Sequence, residues 1–191
     1  MKGIAAFLAL MTFAGAACAA DKFKSGVFEP ARLAPEIALI GSDGGELSLG
    51  KYRGKVVVLG FGFSHCPEIC PTTLDRLAKA RKRLGASGAQ MQVVYVTVDP
   101  GRDTPERLRT YLAAFDPGFV GGTGTAAQID KVQKEYGIVA AKTMGRDPRT
   151  YGVDHSSFVY LVDREGRLRV MVPYGRSAED IAHDVALLLK K

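Results

Sequence analysis

A strongly apolar segment that runs directly into two cysteines constrains this chain more than any other stretch. Residues 55–63, KVVVLGFGF, are apolar on both faces of an extended chain, which predicts a central strand covered on both sides. Cys66 and Cys70 follow, and each precedes a proline. Because prolines four residues apart do not fit one regular helix, we predict a turn from Cys66 to Cys70 and a helix that starts near Pro71.

The rest of the chain alternates strand and helix patterns. An N-terminal β-hairpin is predicted where two short apolar runs flank Asp43-Gly44-Gly45. Further strands are predicted at 91–100, 157–163 and 167–173, and helices at 72–85, 104–115, 126–137 and 177–191. Strand–helix–strand followed by an antiparallel hairpin and a helix is the thioredoxin-like arrangement. The sequence therefore predicts an α/β, thioredoxin-like fold with a central mixed sheet flanked by helices.

The N-terminus has a different composition from the rest of the 191 residues. Lys2 precedes an apolar stretch that ends in small residues, and Ala17-Cys18-Ala19 resembles a cleavage site, so we predict a signal peptide over residues 1–20. An uncleaved anchor and a lipoprotein signal with lipidation at Cys18 stay open as alternatives. Residues 21–34 mix charge, Gly and Pro and are interpreted as a tether or irregular arm. Residues 35–191 form the predicted domain.

Cleavage of the leader leaves Cys66 and Cys70 as the cysteines of the mature chain. A disulfide across so short a loop stabilises a domain little, so the pair is better interpreted as a site than as a brace. The start of a helix and the neighbouring His65 favour the thiolate form of both cysteines. Thiolates serve both disulfide exchange and metal binding, and the spacing permits both. Burial as two small apolar side chains is a further alternative.

The chain has three histidines, and one of them could join Cys66 and Cys70 as the third ligand of a metal site. His155 lies just before the predicted strand 157–163, and in a thioredoxin-like fold the loop that leads into this strand packs against the cysteine turn. The side chain of His65 points away from that of Cys66 if the strand continues, and His183 is interpreted as structural or as a surface residue. Asp154 either orients the His155 ring or lies on the surface.

Other polar and soft side chains near the predicted site receive no ligand role. Asp99 and Asp103 belong to a polar loop after the second buried strand and could lie near the cysteines. The thioether of Met144 is a possible soft ligand, but we expect this side chain to pack instead.

Four stretches together carry a resemblance to a known family. They are GFSHCPEICPTTL, VTVDPGRDTPERLRTYLAAF, GGTGT and YGVDHSSFVYLVD. Over about residues 28–175 the chain resembles the Sco (SenC) copper chaperones. The resemblance implies a thioredoxin-like fold, copper as Cu(I) and/or Cu(II), and Cys66, Cys70 and His155 as its ligands. It also implies a metallochaperone that assists assembly of the copper centre of cytochrome c oxidase.

The resemblance also implies partners and a location. The expected partner is the copper-receiving subunit of cytochrome c oxidase or another periplasmic copper protein. With the leader, this places the chain in the periplasm, soluble or tethered to the inner membrane, with membrane contact only through a client or an N-terminal anchor. The formal net charge of +6 is dispersed along the chain and no nucleic-acid motif accompanies it, so we expect no nucleic-acid partner.

An enzyme remains the main alternative. Some members of the family are credited with thiol–disulfide reductase activity, and Cys66 and Cys70 would then form the redox-active pair of a periplasmic oxidoreductase that reduces client cysteines. A peroxiredoxin-like peroxidase is disfavoured because the P-x-x-x-T/S-x-x-C pattern is absent before Cys66. A structural zinc site is disfavoured because no fourth ligand is apparent.

Overall fold

A mixed sheet of eight strands forms the centre of the protein in a computed structural model that describes residues 22–144 and 151–190. The leader predicted over residues 1–20, with its alternatives at Cys18, lies outside the described residues. The strands of the mixed sheet are β1 (Gly26–Leu33), β2 (Leu39–Gly41), β3 (Glu46–Leu47), β4 (Val56–Gly62), β5 (Met91–Thr97), β6 (Val120–Thr123), β9 (Val159–Val162) and β10 (Arg167–Val172), and two further strands, β7 (Ala140–Met144) and β8 (Tyr151–His155), form a second sheet.

The predicted central strand is β4, and all of its residues are buried. The sheet order is β1-β10-β9-β4-β5-β6-β2-β3, in which β4 runs parallel to β5 and antiparallel to β9. β2 and β3 form the predicted N-terminal hairpin. The mixed sheet expected from the sequence is therefore confirmed, and the cysteine turn leaves it at the carboxyl end of a fully buried strand.

Four helices flank the sheet, at the positions that the sequence predicts. They are α1 (Ile69–Arg83), α2 (Pro105–Ala113), α3 (Ala126–Tyr136) and α4 (Ala178–Leu189). α1 begins two residues earlier than predicted. Pro71 is accommodated because the first backbone N–H groups of a helix have no partner within it. Within the described ranges, no helix is long and apolar enough to cross a membrane.

Residues 21–34 are not an irregular arm, since most of this segment forms the edge strand β1. Gly26 pairs with Met171 and Leu33 pairs with Arg167 of β10, with a register shift between Val27 and Arg32. An edge strand tolerates a proline and a bulge, which is why a segment with Pro30 still joins the sheet. The prediction of a tether is wrong over this strand.

β7 and β8 form a separate hairpin that sequence reasoning missed. They pair antiparallel from Ala140 opposite His155 to Met144 opposite Tyr151. The side chain of Met144 is 69% exposed, so the expectation that it packs is wrong. The hairpin matters for the site because β8 ends on His155.

Candidate metal centre

The three predicted ligands come together in the folded protein. Cys66 lies in the turn after β4, Cys70 in the first turn of α1, and His155 at the end of β8. Their ligand atoms all lie within 4.8 Å of one another, and Cys70 Sγ is 3.3 Å from His155 Nε2. In the described ranges, this is the one group of three or more Cys, His, Asp or Glu side chains arranged closely enough to hold a metal ion.

Backbone hydrogen bonds shape the cysteine turn. The N–H of Cys66 donates to the carbonyl of Phe63 at 3.3 Å, which closes the turn after β4. The N–H of Cys70 donates to Cys66 Sγ at 3.4 Å. An N–H at the start of a helix has no acceptor within the helix, and here the sulfur of Cys66 supplies one. This contact holds the two sulfurs on the same side of the turn.

Burial decides the protonation of Cys70. The residue is 1% exposed, and this loss of solvation raises the pKa of its thiol to about 12, although the Tyr95 hydroxyl and the Phe63 backbone act in the opposite direction. The expectation that the helix start favours a Cys70 thiolate is therefore wrong for the metal-free protein. A metal ion that binds here has to displace the thiol proton.

The surroundings of His155 favour a neutral imidazole whose Nε2 can bind a metal ion. Its Nδ1 donates to the carbonyl of Ser156 at 2.8 Å, which leaves the lone pair of Nε2 directed toward Cys70. Burial lowers the pKa of His155 below its ordinary value of 6.5. The ring also packs edge-on against Phe63, with centroids 5.9 Å apart. Asp154 is exposed, so the Ser156 carbonyl, and not that carboxylate, orients the ring.

The other two histidines lie outside the cluster. His65 Nδ1 is 3.1 Å from Ser64 Oγ and 3.8 Å from the carboxylate of Asp103. His183 Nδ1 is 3.1 Å from the carboxylate of Asp184. The structure thus separates His155 from His65 and His183 as the sequence predicted.

A buried carboxylate fixes the strand end from which the cysteine turn departs. Asp103 is fully buried and accepts hydrogen bonds from Ser64 N at 3.0 Å, Ser64 Oγ at 2.6 Å and Thr97 Oγ1 at 2.7 Å. Arg107 Nε donates to Ser64 Oγ at 3.0 Å. Sequence analysis left open that Asp103 could lie near the cysteines and gave it no ligand role. Its supporting role became visible only with the fold, because its partners come from two other segments, the end of β4 and β5.

A second set of contacts, the Asp99–Arg102–Tyr151 clasp, ties β8 to the loop after β5. The Tyr151 hydroxyl donates to Asp99 Oδ1 at 2.8 Å, and Arg102 Nη1 donates to the Tyr151 carbonyl at 3.1 Å. The guanidinium of Arg102 lies 3.7 Å from the centroid of the Tyr151 ring. Arg102 also pairs with the Asp99 carboxylate. The clasp holds the strand that carries His155. Tyr151 opens the stretch YGVDHSSFVYLVD, but its role in the clasp was not predicted from the sequence.

The donor set suits a soft metal, and one side of it opens to solvent. Two cysteine sulfurs and an imidazole are ligands that copper and other soft or borderline metals prefer. A groove of about 400 Å³ adjoins the cluster and is lined by Cys66, His155 and apolar neighbours that include Pro67 and Ile69. A partner molecule can therefore approach the ligands from this side.

Comparison with known proteins decides the family. The SCO1/SenC family matches residues 27–190, which is most of the chain. The chain belongs to the SCO1/SenC family. A SCO2-like protein of Rickettsia prowazekii is 38% identical over 130 residues, which cover 68% of this chain and 63% of that protein. The mitochondrial protein SCO2 of Saccharomyces cerevisiae is 43% identical over 117 residues, 60% of this chain and 39% of that one.

Solved SCO structures share the fold. ScoI of Bradyrhizobium japonicum with copper bound superposes with a TM-score of 0.76 at 32% identity, over 82% of this chain and 99% of that one. Yeast Sco1 with copper bound gives a TM-score of 0.75 at 31% identity, over 84% and 90% of the two chains. The predicted thioredoxin-like fold of the SCO1/SenC family is thereby confirmed. The chain spans less than two thirds of the Rickettsia prowazekii relative.

Proposed function

We propose that the protein is a metallochaperone that binds copper through Cys66, Cys70 and His155. The convergence of these three ligand atoms within 4.8 Å carries the proposal. Similarity to ScoI and Sco1 structures that are described with copper bound supports the choice of metal.

The donor set fits copper in either oxidation state. Thiolates favour Cu(I), and a neutral imidazole suits both Cu(I) and Cu(II). With two thiolates and a neutral imidazole, the site carries a formal charge of about −1 with Cu(I) and about 0 with Cu(II), by counting charged ligands. Three protein ligands and an adjoining groove leave room for a client ligand to reach the metal.

Assembly of the copper centre of cytochrome c oxidase is the cellular role that we propose. The client is the copper-receiving subunit of that enzyme or another periplasmic copper protein. Membership of the SCO1/SenC family supports this role, and the secretory pattern of residues 1–20 supports export to the periplasm.

Copper titration of the purified protein tests the ligand set. We expect one tightly bound copper ion per reduced chain, and loss of tight binding in Cys66→Ser, Cys70→Ser and His155→Ala. Oxidation of the two thiols to a disulfide removes both soft ligands and should abolish binding. His183→Ala is the matched control and should bind like the wild type. Tight, stoichiometric copper in His155→Ala contradicts the three-ligand site.

A thiol–disulfide reductase is the second candidate, and the unequal exposure of the two cysteines favours it. Both thiols are free, Cys66 is half-buried and Cys70 is buried. Cys66 could attack a client disulfide to form a mixed disulfide. Cys70 then displaces the client sulfur, so that two electrons and two protons pass to the client and Cys66–Cys70 is left oxidised. Reduction of a client disulfide by copper-free His155→Ala protein supports this activity, and dependence of that reduction on copper argues against it.

A further inference from the structure

The hydroxyl of Tyr95 is a buried polar group without a hydrogen-bond partner among the described residues. Tyr95 lies in β5 and is 1% exposed. Two other buried tyrosines have partners, since the hydroxyl of Tyr136 donates to the Pro35 carbonyl and that of Tyr160 to the Tyr136 carbonyl. A phenol left unpaired in a protein interior is unfavourable, so its position needs an explanation.

The hydroxyl lies beside the sulfur of Cys70. Gly62 shows how close the two groups are, because a Cβ atom on this glycine would lie 1.8 Å from Tyr95 Oη and 2.7 Å from Cys70 Sγ. Both atoms therefore approach the same point above the end of β4. Tyr95, Cys70 and His155 also line one small cavity. The missing side chain of Gly62 is what allows the phenol to reach the thiol.

Metal binding changes the sulfur from a poor acceptor into a good one. A neutral thiol accepts hydrogen bonds weakly. A metal-bound thiolate keeps lone pairs and negative charge, and hydrogen bonds to charged groups are the stronger ones. The hydroxyl hydrogen of a tyrosine can rotate to meet such an acceptor. A metal ion bound to Cys70 would therefore give the neighbouring phenol a stronger acceptor.

We propose that Tyr95 is a positioning residue of the metal centre whose hydroxyl donates a hydrogen bond to the Cys70 thiolate in the copper-loaded protein. This inference rests on the proposed copper site. A donor at the sulfur partly neutralises its charge, which stabilises the more negative Cu(I) form more than the Cu(II) form. Tyr95 thereby biases the site toward Cu(I).

Tyr95→Phe tests this role because it removes one oxygen atom and keeps the ring. We expect the affinity for Cu(I) to fall about tenfold, as for other groups that support metal ligands. The thiolate-to-Cu(II) absorption band should move to longer wavelength, because the sulfur orbitals lose the stabilising hydrogen bond. The melting temperature of the metal-free protein should stay the same or rise, since an unpaired buried hydroxyl has been removed.

Tyr160→Phe is the matched control, because its hydroxyl has a backbone partner. It should lower the melting temperature of the metal-free protein and leave copper affinity and the absorption band unchanged. Wild-type affinity and spectrum in Tyr95→Phe overturn the inference while the copper site stands. A melting temperature that falls as far in metal-free Tyr95→Phe as in Tyr160→Phe also overturns it. Failure of the wild-type protein to bind copper overturns the proposed function and this inference together.

Discussion

Cys70 Sγ and His155 Nε2 lie 3.3 Å apart, although 85 residues separate them in the chain. One belongs to the first turn of α1 and the other to the last position of β8. The contact therefore depends on how the β7–β8 hairpin docks against the body of the protein.

Copper affinity should rise with pH. Burial raises the pKa of the Cys70 thiol to about 12, so this thiol carries a proton at neutral pH that copper displaces. Each displaced proton makes the apparent affinity about tenfold stronger per pH unit. The pKa of His155 is lowered below 6.5, so its imidazole stays neutral near pH 7 and protonation weakens binding further only below that value. Competition titrations at several pH values measure the slope, and a flat profile contradicts displacement of the Cys70 proton.

Gly62→Ala should damage both the fold and the site. The new Cβ atom would lie 1.8 Å from Tyr95 Oη and 2.7 Å from Cys70 Sγ, so one of these side chains must move. We expect the free energy of unfolding in urea to fall by about 1–3 kcal/mol, as for other overpacked interiors, and copper affinity to fall with it.

Gly26→Ala is the control for this change, because its Cβ atom would meet Met171 O at an ordinary 3.5 Å. Gly26 also lies in a strand, but far from the cysteines along the sheet order. Combining Gly62→Ala with Tyr95→Phe should recover part of the lost stability, since it removes the hydroxyl that is closest to the new methyl group. Equal losses of unfolding free energy and copper affinity in Gly62→Ala and Gly26→Ala would show that the approach of Tyr95 Oη and Cys70 Sγ to Gly62 is unimportant.

Asp103→Ala should destabilise the strand end that carries the cysteine turn. It leaves the donors Ser64 N, Ser64 Oγ and Thr97 Oγ1 without their acceptor in a buried place. Removing one buried acceptor of this kind costs about 1–3 kcal/mol, and more when it is charged. Asp103→Asn keeps one acceptor oxygen and should lose less. Urea unfolding measures the stability of the two variants. A lower free energy of unfolding for Asp103→Asn than for Asp103→Ala would contradict this prediction.

Tyr151→Phe should loosen the strand that carries His155. The change removes the hydrogen bond to the buried carboxylate of Asp99 but keeps the ring that stacks on Arg102. We expect a loss of about 1–3 kcal/mol in unfolding free energy and weaker copper binding, with faster amide hydrogen exchange in β8. Tyr174→Phe, at a 43% exposed tyrosine, is the control and should change neither. Unchanged exchange in β8 would mean that the clasp does not hold the strand.

The sequence was informative where local pattern and chemistry decide the outcome. The apolar run of β4, the helix α2 and the pairing of two cysteines with His155 could all be predicted, because each depends on residue type and spacing. The protonation of Cys70 could not, since it depends on how completely distant segments bury the sulfur.

Elements that depend on their neighbours escaped prediction. β1 looks irregular in sequence, and it becomes a strand only because β10 offers an edge with which to pair. In the β7–β8 hairpin, most side chains of β7 are exposed, so this strand lacks the apolar alternation that marks a half-buried strand. Tyr151 gained its role from Asp99 and Arg102, which lie about 50 residues earlier in the chain.

The β7–β8 hairpin is a separate two-stranded sheet, and in the part of the chain that the structure describes it shares no strand pairing with the main sheet. The two sulfurs are carried by the turn and helix that follow β4 of the main sheet, whereas the imidazole is carried by the last residue of β8 in the other sheet. The distance between Cys70 Sγ and His155 Nε2 therefore depends on contacts between side chains and loops, such as the Asp99–Arg102–Tyr151 clasp, and not on a shared strand ladder.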